Sequence, residues 1–289
     1  MSISNTNMPP HTMIIEPPQR MPSSKLDREY EIQIALPPSY HYAKKKYPAL
    51  YLMDGSLSFE MAVGVSQLLS SGGEIPEMII VSVGCPREAS PMEFGWRRTH
   101  DFGPNEIQSF KGLGPEVMEK LMPSPVGVVF KSGGAPLFLD FLTDEIMPAM
   151  ARDYRVDEND QGLCGHSLGG LFVGYALFAK PGAFAKYICG SPVLNDGEFE
   201  IFKMEEAYAS AHDDLPVSIF FGGGEKEVDN IFTAAGDLVG SMVRMAQTLR
   251  LRRYPSLTLF SKIFSGETHN SVPPFLLSWG LRKLWGPIK

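Results

Sequence analysis

Ser167 stands at the centre of Gly165-His166-Ser167-Leu168-Gly169, a spacing that suits a nucleophile. A serine hydroxyl attacks a carbonyl slowly at neutral pH unless a base takes its proton. The G-x-S-x-G pattern describes a sharp strand-to-helix turn that lifts the hydroxyl above a sheet. Its two glycines remove the Cβ atoms that would clash where strand and helix approach. The flanking residues agree with that turn. "GLCGHS" is a short apolar run suited to a buried strand, and "LGGLFVGYALFAK" is an apolar helix halted by Pro181-Gly182,. The plain alternative is a glycine-rich turn with an incidental serine.

A base and an acid should follow in the order Ser, acid, His. Only His212 and His269 lie beyond Ser167. His269 sits in "FSGETHNSVPP", a loop after the apolar run "LTLFSKIF", where a strand end would deliver a base. His212 sits in "ASAHDDLP", a charged helix end that suits a solvated or capping residue,. We therefore choose His269. The acid is expected after the strand "VSIFF", where "GGGEKEVDN" offers Glu225, Glu227 and Asp229; Glu227 is the first choice and Glu225 the second. Its task would be to fix the imidazole tautomer and stabilise the imidazolium. A tetrahedral intermediate also needs amide donors. Leu168 supplies one and Ser56, in "YLMDGSLSF", the other, although an ordinary Asp-Gly turn explains Asp54-Gly55 equally well,. The run "GGGEKE" lacks the third glycine of a dinucleotide-binding loop,.

The rest of the chain must place these groups. "REYEIQIALPPSY" alternates as a half-buried strand, while "YPALYLMDG" and "EMIIVSVG" are nearly continuous apolar runs, as in strands covered on both faces,. "GAPLFLDFLTDEIMPAMARDY" sets Leu137, Phe138, Phe141, Leu142 and Ile146 on one helical stripe, with Ser132 available as a cap,. Strands alternating with helices predict an α/β fold with a mostly parallel central sheet flanked by helices. Residues 1–24 carry five prolines and read as an extended or flexible arm, with order beginning near Lys25,. Residues 25–289 then form a single domain. The stretch from about 103 to 132 mixes Gly, Pro, Met and Lys without a period and reads as a cap-like insertion,. It would bring Phe110, Met118, Met122 and Phe130 over the site, or pack them into a small core of its own.

Composition removes several classes. With 26 Lys plus Arg against 33 Asp plus Glu, the formal charge is -7, and no basic tract answers phosphates,. Nucleic acid is not an expected partner. No run of roughly 18 apolar residues offers a membrane span, and the N-terminus lacks a basic region before an apolar one. A soluble cytoplasmic protein is expected, with homo-oligomerisation left open. Cys85, Cys164 and Cys189 lie in apolar runs without metal-ligand spacing and read as buried thiols,. His100-Asp101 has no second cluster to complete a metal site.

Taken together, "REYEIQIALPPSY", "YPALYLMDG", "GWRRTHDFGP", "GHSLGGLFVGYALFAKPGAFAKYICGSP" and "GETHNSVP" resemble the esterase family of the α/β-hydrolase superfamily. That family includes esterase D, feruloyl esterases, mycolyltransferases and the enterochelin (siderophore) esterases, and the last are the most similar. The resemblance implies an α/β-hydrolase fold, Ser167 as nucleophile, His269 as base, and the Ser56 and Leu168 amides as oxyanion hole. It implies no metal or organic cofactor. The acid stays open among Glu227, Glu225 and none, since some siderophore esterases work with Ser and His alone. "RRTHDFGP" is similar to the family's Arg-x-x-Asp-x-Thr-Pro element, with Gly103 in place of Thr; Arg97, Arg98 and Asp101 would order loops beside the site. His166, Arg97, Met118 and Met122 are the candidates for substrate contact. The expected activity is hydrolysis of a small to medium apolar or aromatic carboxylic ester through an acyl-enzyme. An acyltransferase or thioesterase would use the same residues, and a non-catalytic binding protein is the rival from another class.

Overall fold

The computed structural model describes residues 11–105, 132–195 and 199–287. Strands β1 (Ile14–Ile15), β2 (Gln19–Ser23), β3 (Arg28–Leu36) and β4 (Tyr47–Met53) come first in sequence. Helix α1 (Gly55–Ser71), strand β5 (Ile79–Gly84) and helix α2 (Pro91–Phe102) follow. Helices α3 (Ala135–Phe141) and α4 (Met147–Asp153) are joined by a π-helical turn, Leu142–Ile146. Pro148 has no N–H to give the preceding turn, which widens so that the Met147 amide reaches the Leu142 carbonyl,. The second half runs β6 (Val156–His166), α5 (Leu168–Ala179), β7 (Lys186–Gly190), α6 (Glu200–Ala211) and β8 (Ser218–Gly224). It ends with α7 (Ile231–Ala235), α8 (Leu238–Arg252), β9 (Thr258–Phe264) and α9 (Pro273–Trp285).

These strands form one nine-stranded sheet in the order β1-β3-β5-β4-β6-β7-β8-β9, with β2 also paired to β3. From β5 to β9 every neighbouring pair is parallel, and β3 is antiparallel to β5. The central strands are buried on both faces, which is why they read as unbroken apolar runs,. One face packs against α3, α5 and α8 through Phe138, Phe141, Phe172 and Met242. The other packs against α1 and α9 through Phe59, Val63, Leu276 and Leu281. A parallel sheet collects its loops at the carboxyl ends of the strands, and there Ser167, Glu227 and His269 follow β6, β8 and β9,. No helix among the described residues is long and apolar enough to cross a membrane.

Three expectations need correction. The sheet begins at Ile14 and not near Lys25, because β2 zips antiparallel onto β3 from Gln19 opposite Ile32 to Ser23 opposite Arg28. Pro22 is tolerated because an outer strand needs no donor on its free side,. Gly134, and not Ser132, caps α3; the Ser132 hydroxyl donates to the Asn105 carbonyl at 2.6 Å. Leu137 is 44% exposed and leaves the expected stripe, whose other members Phe138, Phe141, Leu142 and Ile146 are buried together with Ala135 and Leu139. Of the cap-like insertion, residues 106–131 lie outside the described residues, but its two ends meet: the Gly133 amide donates to the Gly103 carbonyl at 2.8 Å.

Candidate active site

Ser167 occupies the single position between the end of β6 and the start of α5, with φ 62° and ψ -119°. A side chain rarely adopts such a φ, and the surrounding structure must hold it there. The Ser167 amide donates to the Gly190 carbonyl at 2.9 Å, and the Leu171 amide donates to the Ser167 carbonyl at 3.0 Å. The turn is so tight that a Cβ on Gly165 would lie 2.2 Å from the Gly169 carbonyl oxygen. Gly165→Ala is therefore expected to cost about 3 kcal/mol, since a backbone atom and not a flexible side chain must give way. Denaturant titration checks this, and an unchanged midpoint would mean that the turn opens freely.

Two helix N-termini meet at this turn. Leu168 is the first residue of α5 and Ser56 the second of α1, so both amides lie among the first-turn donors that have no partner inside their helix,. Asp54, just before α1, is itself left-handed at φ 56°. A Cβ on Gly169 would lie 3.2 Å from an Asp54 carboxylate oxygen, which shows how closely the β4–α1 turn seats on the first turn of α5. Arg98 ties the two together. Its Nε donates to Asp54 Oδ1 at 2.7 Å and its Nη2 to the His166 carbonyl at 3.3 Å.

His269 lies in the loop between β9 and α9, and its Nδ1 is 2.7 Å from Glu227 Oε1. Glu227 is 1% exposed, and its other carboxylate oxygen accepts the Gly224 amide at 3.2 Å. The short 3₁₀ turn Glu225–Val228 decides which acid faces inward. Glu225 turns outward and accepts from the Ser265 hydroxyl and the Gly266 amide, both at 2.7 Å, pinning the histidine loop from outside. These hydrogen bonds, the backbone one first, hold the Glu225 carboxyl below its ordinary range,. Asp229 pairs with Lys226 at 3.2 Å. His212 is far from this chemistry in role: it stacks on Tyr208 at 4.1 Å and bonds the Tyr208 carbonyl.

His166 packs on His269, ring centroids 4.5 Å apart, and its Nε2 is 3.0 Å from the His269 carbonyl oxygen. A carbonyl only accepts, so Nε2 carries the proton. Burial, reinforced by neighbouring His269 and Arg98, holds the His166 imidazole well below its ordinary pKa,. The unfolded chain takes up a proton at this residue as pH falls below about 6.5, while the folded chain does not. Stability from this site is thus complete above that pH and lost below it. His166→Gln lacks this loss, so the Tm advantage of the wild type over the variant is expected to shrink between pH 7.5 and pH 5. A constant gap would show that His166 is free to protonate in the fold.

Arg97 does not reach the site. It bonds Glu93 at 2.9 and 2.6 Å and the Glu29 carbonyl at 2.8 Å, anchoring α2 to β3. Its neighbour Arg98, about 100° further round the helix, is the one at the turn. His100 and Asp101 form an internal cluster with Arg28 and Tyr30. Among the described residues no group of three or more His, Cys, Asp or Glu is placed to hold a metal. All three cysteines are buried free thiols. Met118 and Met122 lie outside the described residues. What the sequence reading missed is a cavity of about 380 Å³ beside His166 and His269, walled by Leu57 and Met61 of α1 and by Leu276 and Leu277 of α9. The signal was present in the i, i+4 spacing of Leu57 and Met61, but helical spacing alone does not separate a core stripe from a pocket wall.

A family model described as "Putative esterase" matches residues 23–109 and 128–248. The chain belongs to that family. It is 32% identical over 281 residues to the ferri-bacillibactin esterase BesA of Bacillus subtilis, spanning 91% of this chain and 87% of that protein. It is 27% identical to the siderophore triacetylfusarinine C esterase of Aspergillus fumigatus, covering 87% of each. Among solved structures, the BES protein of Bacillus cereus superposes with a TM-score of 0.78 at 26% identity, over 94% of this chain and 96% of that one. An IroE-like serine hydrolase of Shewanella oneidensis gives 0.76 at 25% identity, over 94% and 80%. The fold is that of the α/β-hydrolases, and the chain is a serine carboxylic-ester hydrolase similar to the siderophore esterases.

Proposed function

We propose that Ser167, His269 and Glu227 work as a triad through an acyl-enzyme. The observation that carries this reading is the 2.7 Å contact between His269 Nδ1 and the buried Glu227 carboxylate, with His269 packed on His166, the residue before a serine held in a strained strand-to-helix turn. Ser167 Oγ attacks the ester carbonyl while His269 takes its proton, and the Leu168 and Ser56 amides bind the oxyanion. The protonated imidazole then gives its proton to the departing alcohol. Water, activated by the same histidine, releases the acid. Glu227 holds Nδ1–H and so leaves Nε2 free to accept.

The substrate is a small to medium ester with an apolar or aromatic part. Relatives named for ferri-bacillibactin and triacetylfusarinine C support an ester within the siderophore class. The apolar walls contributed by α1 and α9 support the apolar part. Intact-mass spectrometry after a fluorophosphonate probe, with peptide mapping, tests the nucleophile; one adduct on the peptide holding Ser167 is expected. Turnover of ferri-bacillibactin against benzyl and hexyl esters then ranks substrates. An adduct elsewhere, or none, would overturn the triad.

A further inference from the structure

The cavity beside the two imidazoles lies on one face of the sheet. Side chains two apart on a strand share a face, and Cys164 and His166 of β6 line it together with Leu52 of β4 and Ile188 of β7,. Its far walls are α1 and α9. Gly190 and Gly222 make room for α9 to come this close, since a Cβ on either would lie 2.8 or 2.3 Å from a Leu276 methyl carbon. Its volume of about 380 Å³ falls within the roughly 300–1,000 Å³ of small-molecule sites,. Most of the lining is apolar, and Asp54, Ser58, Arg98, His166, His269 and Asn270 supply its polar groups. At the rim Leu57 stands 69% exposed.

Which half of an ester such a cavity would take follows from the chemistry of the histidine. When the serine–carbon bond has formed and the carbon–alkoxy bond breaks, the imidazolium must hand its proton to the alkoxy oxygen. That oxygen therefore lies on the histidine side of the reacting carbon. Whatever is attached to it continues away from the serine on that side. His269 and its neighbours Asn270 and Pro273 line the cavity, and Ser167 is not among its lining residues. Resting on the triad reading above, we propose that this cavity binds the alcohol half of the ester and favours an alcohol with an apolar part. The acyl half lies outside it.

Two matched series test this. Acetates of methanol through hexanol vary the alcohol, and methyl esters of acetic through heptanoic acid vary the acyl chain. In the wild type, kcat/KM is expected to rise at least about tenfold from methyl to hexyl acetate and to change little along the acyl series. Met61→Trp fills the cavity, and the hexyl-to-methyl acetate ratio should collapse to about one. Met61→Ala enlarges it and should shift the optimum to longer alcohols. A rate gain that follows the acyl chain, or an alcohol preference indifferent to both Met61 changes, would overturn the assignment. Saturation-transfer NMR with free 1-hexanol needs no turnover and so separates this proposal from the triad. Transfer to the wild type but not to Met61→Trp supports the pocket even where probe labelling fails, and no transfer to the wild type refutes it.

Discussion

Ser167→Ala is expected to lower kcat by about 10⁴–10⁶ while KM stays within a few-fold, because the covalent step is lost and the binding surfaces remain. Ser167→Gly should be equally inactive and also more stable. At φ 62° and ψ -119° a side chain is strained by roughly 1–3 kcal/mol, and glycine is free there apart from its larger entropy loss on folding,. A gain of about 1 kcal/mol in unfolding free energy is the expected net result. The pair separates two things that one inactive variant confounds. If Ser167→Gly is inactive and no more stable than the wild type, the turn is not strained, and the reading of the serine as held in place by Gly165, Gly169 and Gly190 fails. If Ser167→Ala keeps more than about a hundredth of wild-type kcat, another group is the nucleophile.

Glu227→Gln carries the second large effect, a fall in kcat of about 10³–10⁴. The substitution keeps shape and volume in a site that is 1% exposed. A carboxylate can only accept from His269 Nδ1–H, whereas an amide can present its NH₂ group to a bare Nδ1. That stabilises the tautomer protonated at Nε2, which cannot take the serine proton. Glu227→Asp retains the charge and shortens the reach, so it should recover part of the activity, while Glu225→Gln should act only through the stability of the histidine loop. A loss of less than about tenfold in Glu227→Gln would mean that serine and histidine suffice in this chain, as in the two-residue members of the family.

The chemistry was more legible in the sequence than its surroundings were. The positions of Ser167 and His269, one in a strand-to-helix turn and one in a strand-end loop, could be read because the flanking strands and helices have clear periods. The choice among Glu225, Glu227 and Asp229 could not be forced, since three acids in five residues differ only in which way a 3₁₀ turn points them. The expectation of substrate contact at Arg97 failed for a similar reason: α2 has no continuous apolar stripe to orient it, so adjacent arginines could not be assigned to faces. The mostly parallel sheet followed from the alternation of strands and helices, but β1 and β2 did not, being short edge strands with prolines between and within them. The apolar pocket wall on α1 and α9 was not legible, because the two helices are more than two hundred residues apart in sequence. Only tertiary packing brings those together.

The closure at Gly103 and Gly133 has an architectural consequence. Because the amide of one reaches the carbonyl of the other, and Ser132 meets Asn105 beside them, the two ends of that stretch are held side by side at a single doorway. Everything between can grow, shrink or be replaced at an entropic charge that rises only with the logarithm of its length. The scaffold of strands, elbow and histidine loop does not have to be renegotiated when that happens. A change of length between those two ends therefore leaves the strands and turns around them where they are.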